Sequence, residues 1–314
     1  MNHGFDPFVP LVECTRGNLV ESVHYGAFCV SDRQGKILSC SGDQNQKIFL
    51  RSSAKPFQAL SFLEAGGTEY FHLEDHEVAL LCASHSATDE HVQALRALQA
   101  KIGISEGDLL CGTHPPYHRE TAARMHIQGE PLTPNRHKCS GKHTGMLAFA
   151  HVLKVSTENY LDPDHPVQHA ILRTFAEMCM MEEGEIALGT DGCSAPVFAV
   201  PLPAAARAYA RLCQPDGLTS KRAAACRLIT RAMGANGFMV AGPAKFDTLL
   251  MEKFGQRIIA KSGAEGYLGL GVLPGVIPSH PEAVGIAIKI ADGDSGERAR
   301  YVVALEVLRA LGVL

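Results

Sequence analysis

The 314-residue sequence predicts an α/β sandwich, a sheet built from distant segments and flanked by helices. Three observations carry this expectation. Two β-rich runs open the chain, two strand-like runs lie near its end, and helical patterns fill most of the stretch between. No repeat, low-complexity tract or long polar linker interrupts residues 1–314, so the chain reads as a single domain.

Residues 22–41, SVHYGAFCVSDRQGKILSCS, hold two short β-rich runs around Asp32-Arg33-Gln34-Gly35, with Gly where a hairpin turn needs a positive φ. From about 53 to 65, Phe57, Leu60, Phe62 and Leu63 recur at helical spacing, and Gly66-Gly67 ends that helix. Val92, Leu95, Leu98 and Ile102 share one face of a helix over 89–101, and residues 145–153 predict another. Residues 204–212 and 220–233 are Ala-rich helices. Residues 257–261 and 284–290 read as strands, Asp292-Gly293-Asp294 as a turn, and 298–311 as a closing amphipathic helix.

Hydrophobic residues make up 46% of the chain and charged residues 20%, which excludes disorder and collagen. A chain of this size buries roughly 75% of its unfolded surface, so a core forms without disulfides. Twenty-nine Lys and Arg against 33 Asp and Glu give a net charge of -4 with both signs dispersed, leaving no electrostatic footprint for nucleic acid or an anionic membrane. A small molecule is the expected partner. The first 17 residues lack the basic start and apolar core of a signal peptide, and no apolar run reaches the ~18 residues of a membrane span. A soluble, cytoplasmic protein is expected. The ten cysteines lack the regular spacing of a secreted disulfide framework and read as mostly reduced thiols, with Cys29 and Cys82 as small core residues.

Ser52-Ser53-Ala54-Lys55 has S-x-x-K spacing at a helix start, where residues three apart share a face. Burial and the positive end of the helix dipole both push a lysine amine toward its neutral, basic form, so the pair can act as nucleophile and base. Pro56 suits the first turn of a helix. Alone, the same residues describe a helix cap and a solvated charge. Lys261-Ser262-Gly263, after the strand at 257–260, fits the K-[ST]-G pattern that accompanies S-x-x-K in serine β-lactamases, with Gly read as letting a ligand approach the backbone. The third element of that pattern, S-D-N, is absent, and Ser84-His85-Ser86 is its only nearby candidate. Residues 137–145, HKCSGKHTG, and 189–196, GTDGCSAP, read as polar Gly-containing loops, the usual home of site residues. By spacing alone, Cys139 and Cys193 could be nucleophiles, metal ligands or inert thiols.

Taken together, RSSAKPFQAL (51–60), CASHS (82–86), CGTHPPY (111–117), HKCSGKHTGML (137–147), GTDGCSAPVFAVPL (189–202) and KSGAEG (261–266) resemble one family, the rhizobial-type or class 3 L-asparaginases, also described as the asparaginase II domain. The blocks cover nearly the whole chain. The resemblance implies a fold similar to serine β-lactamases and glutaminases, with a mainly antiparallel sheet flanked by helices. It also implies hydrolysis of L-asparagine to L-aspartate and ammonia by a homodimer. Carried over by motif, Ser52 and Lys55 match one Ser-Lys pair, and Ser84 and Lys261 match a second. Cys139, Lys142 and Cys193 match a zinc site in which a lysine amine is a ligand, a water fills the fourth position and Asp191 sits where it could hold that water. Zinc is not expected to perform the hydrolytic step.

On this reading neutral Lys55 takes the Ser52 proton, Ser52 attacks the side-chain carboxamide, ammonia leaves, and water hydrolyses the acyl-enzyme. Backbone N–H groups near Ser52 are the expected oxyanion donors. Arg51, His143 and the N–H groups near Thr144 are candidates for the substrate carboxylate. Two alternatives stand beside it. The first is another Ser-Lys hydrolase, a glutaminase, amidase or β-lactamase-like enzyme, because one methylene is worth only about 1 to 3 kcal/mol of discrimination. The second is a non-catalytic zinc scaffold, against which three ligands instead of four speak.

Overall fold

The computed structural model describes residues 7–314, and within them nine strands form two sheets. These are β1 (Val9–Arg16), β2 (Leu19–Asp32), β3 (Ile37–Ser41), β4 (Lys47–Phe49), β5 (Ala187–Thr190), β6 (Pro196–Pro201), β7 (Ile258–Ser262), β8 (Tyr267–Val272) and β9 (Val284–Ile290). The large sheet runs β1-β2-β9-β8-β7, with β3 sharing the β1 edge of β2, and β4-β6-β5 form the small one. Every pairing is antiparallel. The predicted hairpin is β2–β3, with Gly35 at φ +92°, and the sheet does join the first strands to the last.

Packing on this sheet explains the Ala-rich helix. The helix Leu202–Cys213 lies across β2, β8 and β9. It comes so close that a Cβ on Gly285 would sit 1.7 Å from the Ala206 carbonyl oxygen, and one on Gly269 would meet the Tyr209 ring at 2.3 Å. Small residues on both sides let helix and sheet touch backbone to backbone, where dispersion contacts are densest. On the opposite face Phe28 and Val30 line an apolar groove together with Val303 and Val307 of the C-terminal helix Arg300–Ala310, which packs on β9 and β1. The sandwich is thus helix, sheet, helix, as expected.

The expected loop at 137–145 is not one. Its second half begins the helix Ser140–Leu153, and every residue from Ser140 to Ala150 is buried. The glycines that suggested a loop are contact points, since a Cβ on Gly141 would lie 2.1 Å from the Leu80 carbonyl oxygen. The S-x-x-K segment forms a 3-10 turn, Arg51–Ala54, running into the helix Lys55–Glu64 with Pro56 in its first turn. The helices expected at 89–101, 204–212 and 220–233 are observed as Asp89–Ile102, Leu202–Cys213 and Ser220–Ala235. Strands β1, β4, β5, β6 and β8 and the helices Asp75–Leu81, Arg119–Gln128, Pro166–Cys179 and Phe246–Phe254 were not expected. All ten cysteines are free thiols. Among the described residues no helix is long and apolar enough to cross a membrane.

Candidate active site

The chemistry-bearing residues converge because four segments end at one cleft of ≈ 320 Å³, which Ser52, Ser84, Lys138, Asp247 and Lys261 line. Ser52 comes from the 3-10 turn after β4, and Ser84 follows the helix Asp75–Leu81, where its N–H is held by the Val240 carbonyl at 2.9 Å. Lys261 comes from β7 and Asp247 from the helix Phe246–Phe254.

Lys55, the first residue of its helix, is 1% exposed. Its Nζ donates to the Ala83 carbonyl at 2.5 Å, to Ser84 Oγ at 2.9 Å and, at 3.4 Å, to the Lys138 carbonyl. The lysine of the S-x-x-K motif is therefore hydrogen-bonded to Ser84, and among the described residues it makes no hydrogen bond to Ser52. Burial lowers its pKa, assisted by the nearby Lys142 charge and opposed by the Cys139 and Cys193 sulfurs. The motif predicts one pair, and the fold links it to the second.

Lys261 is fully buried, donates to the Ser262 carbonyl at 2.8 Å and lies 4.0 Å from an Asp247 oxygen. Burial brings its pKa down to about 7 although Asp247 attracts the proton. Asp247 accepts the Ser262 N–H at 2.7 Å and the Ser262 hydroxyl at 2.6 Å, which fixes the strand end against the helix. Ser53 adds a second tie, its hydroxyl donating to the Lys261 carbonyl at 2.5 Å while Tyr209 donates to the Ser53 carbonyl at 2.7 Å. Asp247, Ser53 and Tyr209 were missed in sequence. Gly263 also has a role different from the one expected, since a Cβ there would lie 2.5 Å from the Leu50 carbonyl and 3.1 Å from Ser53 Oγ. The glycine admits the protein's own backbone.

A second buried group, Cys139, Lys142 and Cys193, lies close to Lys55. Lys142 Nζ donates to Cys193 Sγ at 2.9 Å. Cys193 holds the Cys139 sulfur low, with Lys55 and Lys142 assisting against burial, while Cys139 and burial push Cys193 up. Burial opposes the Lys142 charge, but the Cys193 and Cys139 sulfurs outweigh it and raise the amine. Asp191 lies 3.7 Å from Cys193 Sγ and pairs with Arg51, whose Nη2 and Nε are 2.7 and 2.8 Å from its Oδ1. Burial would raise Asp191, yet Lys142 and Arg51 keep it low.

Two buried soft sulfurs, with an amine at hydrogen-bond distance from one of them, fit a thiophilic divalent ion such as zinc. The nearby His143 has a buried Nε2 with no partner. A different set of candidate ligands, Asp32, His280 and Glu282, also comes together, but none of the three lines the cleft. His143 does not meet the expectation that placed it on substrate. It is fully buried inside the helix Ser140–Leu153, its Nδ1 is hydrogen-bonded to the Tyr160 hydroxyl at 2.7 Å, and burial drives its pKa well down.

A sequence model of the family described as L-asparaginase II matches residues 12–314. A search of curated proteins finds no match. Among solved structures, the chain is similar to a putative β-lactamase from Bacteroides dorei, at 13% identity over 91% of this chain and 93% of that one, with a TM-score of 0.52. It is also similar to a probable glutaminase from Bacillus subtilis, solved with 6-diazo-5-oxo-L-norleucine, at 12% identity over 92% of this chain and 84% of that one, with a TM-score of 0.41. The first of these likenesses shows the fold, a β-lactamase-like sandwich.

Proposed function

The chain belongs to the L-asparaginase II family, a family of amidohydrolases, and on that premise we propose that it hydrolyses the side-chain carboxamide of L-asparagine to L-aspartate and ammonia. The observation that carries this reading is a cleft lined by Ser52, Ser84 and Lys261, with Lys55 bonded to Ser84 and both amines depressed by burial. A neutral lysine has the lone pair that a general base needs at neutral pH. Ser52 attacks the carboxamide carbon from the start of the helix, where the N–H groups of the first turn stabilise the oxyanion. Its proton passes to Lys55 through Ser84, which is already bonded to that amine. Lys261, which with a value of about 7 carries a proton part of the time at neutral pH, delivers that proton to the departing ammonia and regains one from the attacking water. Water then hydrolyses the acyl-enzyme by the same route in reverse.

The Lys55–Ser84 bond also favours a second reading, in which Ser84 is the attacking group and Ser52 the relay. Arg51 is the candidate for the substrate carboxylate, and its ionised partner Asp191, which can only accept, is the candidate for the substrate ammonium. Cys139, Lys142 and Cys193 would hold zinc, with Lys142 giving up a proton to do so and Asp191 beside the remaining position. When bound, zinc supplies a fixed positive charge that orients substrate and the Asp191 turn. The same reading expects a homodimer, which sedimentation checks.

Ammonia release from asparagine and glutamine tests the proposal. One methylene corresponds to a preference of roughly 10- to 200-fold, and kcat/KM is expected to favour asparagine by that order. Hydrolysis of a penicillin with neither amino acid turned over would overturn it.

A further inference from the structure

On the far side of the cleft wall, β1 and β2 bring together a thiol, an imidazole and a carboxylate that the hydrolysis does not use. Cys14 on β1 stands directly opposite Ser22 on β2, and His24 follows two residues along, on the same face. His24 Nδ1 is 2.6 Å from Asp292 Oδ2. The other oxygen of Asp292 accepts the Asp294 N–H at 2.9 Å, so the carboxylate is held and Nδ1 carries the donated hydrogen. That leaves Nε2. It is shielded from solvent and has no hydrogen-bond partner among the described residues, and the strand register puts Cys14 one diagonal step away on the same face. Arg298 closes the other side, donating to Ser22 Oγ at 3.2 Å.

We propose that Cys14, His24 and Asp292 form a second reactive centre, a Cys-His-Asp relay at which the Cys14 thiol exchanges with low-molecular-weight disulfides. A nucleophile beside a base that is oriented by a third group is the arrangement that activates a thiol. The charges around it agree. Arg298 holds the Cys14 thiol below its ordinary value, with Ser22 and His24 assisting, and Asp292 raises His24 despite partial burial. The remaining charged neighbours do not oppose this, because Arg16 and Glu21 pair with each other at 2.7 Å and Lys289 faces Asp292. Cys14 and Cys40 are the half-buried thiols, Cys40 standing opposite Cys29 on the neighbouring strand, so a small disulfide reaches Cys14 beside its imidazole, whereas the other eight cysteines are buried.

In the exchange the Cys14 proton moves to His24 Nε2, and the thiolate attacks one sulfur of the disulfide RSSR. The Cys14–S bond forms as the S–S bond breaks, and RS⁻ leaves and takes the proton from the imidazolium. The products are Cys14–S–SR and RSH. No net oxidation occurs beyond transfer of the disulfide. The adduct sits beside Asp292, which also lines the substrate cleft.

The test uses glutathione disulfide on the native full-length protein, read by intact mass and peptide mapping across pH 6 to 9. A tenfold gain in thiolate costs about threefold in intrinsic nucleophilicity, so a depressed thiol still reacts faster at neutral pH. A single adduct at Cys14 is expected, formed about threefold faster at pH 7 than at the same residue in the urea-unfolded chain. His24→Gln and Asp292→Asn, each shown folded by circular dichroism, should both lose this advantage. Cys14→Ser should abolish the adduct and leave amide hydrolysis unchanged. A Cys14 rate equal in native and unfolded chains, an adduct at other cysteines instead, or an undiminished rate in His24→Gln overturns the proposal. None of these readouts depends on which amide the cleft hydrolyses.

Discussion

Replacing Lys261 by Met should stabilise the protein below neutral pH while removing its activity. The gap between the ordinary lysine value of 10.5 and about 7, at about 1.4 kcal/mol per tenfold, is worth about 5 kcal/mol. At pH above 10.5 the amine is neutral in both folded and unfolded chains and contributes no difference. Between about 7 and 10.5 the unfolded chain binds the proton and the native chain does not, so stability rises with pH across that window. Below about 7 both are protonated and the native state carries the whole cost of a buried charge. The attraction of Asp247 is already contained in the value of about 7. What Met additionally loses is the hydrogen bond to the Ser262 carbonyl, about 1 kcal/mol. Lys261→Met should then be more stable than wild type by about 2 to 4 kcal/mol at pH 6, with the difference shrinking toward pH 10. Urea unfolding at several pH values measures it. Hydrolysis should fall by about a hundredfold or more. A variant less stable at pH 6, or one that keeps the wild-type slope between pH 7 and 10, would refute the account of a neutral buried amine.

Three further outcomes are expected. Ser52→Ala should abolish turnover at a stability cost of no more than about 0.5 to 2 kcal/mol, and Ser84→Ala should slow it by roughly 10² to 10⁴; near-normal rates in folded Ser52→Ala transfer the attack to Ser84. Elemental analysis should find stoichiometric zinc in wild type and none in Cys193→Ser, whose KM rises; a zinc-free, fully active wild type removes Cys139, Lys142 and Cys193 from the functional site. Gly141→Ala, whose Cβ would meet the Leu80 carbonyl at 2.1 Å, should lose about 3 kcal/mol or more in urea unfolding, and Gly145→Ala, with its nearest contact at 3.2 Å on a Leu81 methyl, distinctly less.

Period and turn chemistry made some of this structure legible before any coordinates. The β2–β3 hairpin, the helix Asp89–Ile102 and strand β9 each follow from alternation, helical spacing or a turn glycine. The helix Pro166–Cys179 has Pro in its first turn and Val167, Ile171 and Phe175 on one buried face, a pattern that does specify a helix. Strand β8, YLGLGV, is different. Its glycines argue against a strand by propensity, and only the Tyr209 ring and the Cys213 sulfur packed against Gly269 and Gly271 explain them. The same blindness to tertiary contact turned the buried start of the helix Ser140–Leu153 into a loop and put His143 on substrate. At the site, motif spacing selected Ser52, Lys55 and Lys261, all at or beside the cleft. Asp247 escaped because no motif marks a residue whose partner lies 14 or more positions away in sequence and adjacent only in the fold.

The pairing of Lys55 with Ser84 and of Arg51 with Asp191 changes what the S-x-x-K motif means in this chain. Arg51 adopts φ +52°, a left-handed conformation that costs a non-glycine residue about 1 to 3 kcal/mol. Such strain persists only where neighbouring contacts over-determine it, and here the guanidinium is anchored through two nitrogens on one Asp191 oxygen. That turn presents Ser52 to the cleft and starts the helix that carries Lys55. Asp191 in turn lies against Cys193, two residues along. One ion pair therefore joins the serine turn to the Cys-Lys-Cys group. Whatever charge that group carries is felt at the backbone that positions Ser52, through Arg51, and at Lys55 directly through the sulfurs that oppose its loss of a proton. A divalent ion held by Cys139, Lys142 and Cys193 would balance the charge of those sulfurs, with Lys142 as a neutral amine, and would leave Arg51 for the substrate carboxylate and Asp191 for its ammonium. Its influence on hydrolysis then comes through the state of Lys55 and the geometry of the turn, with the nucleophile and base still supplied by the chain.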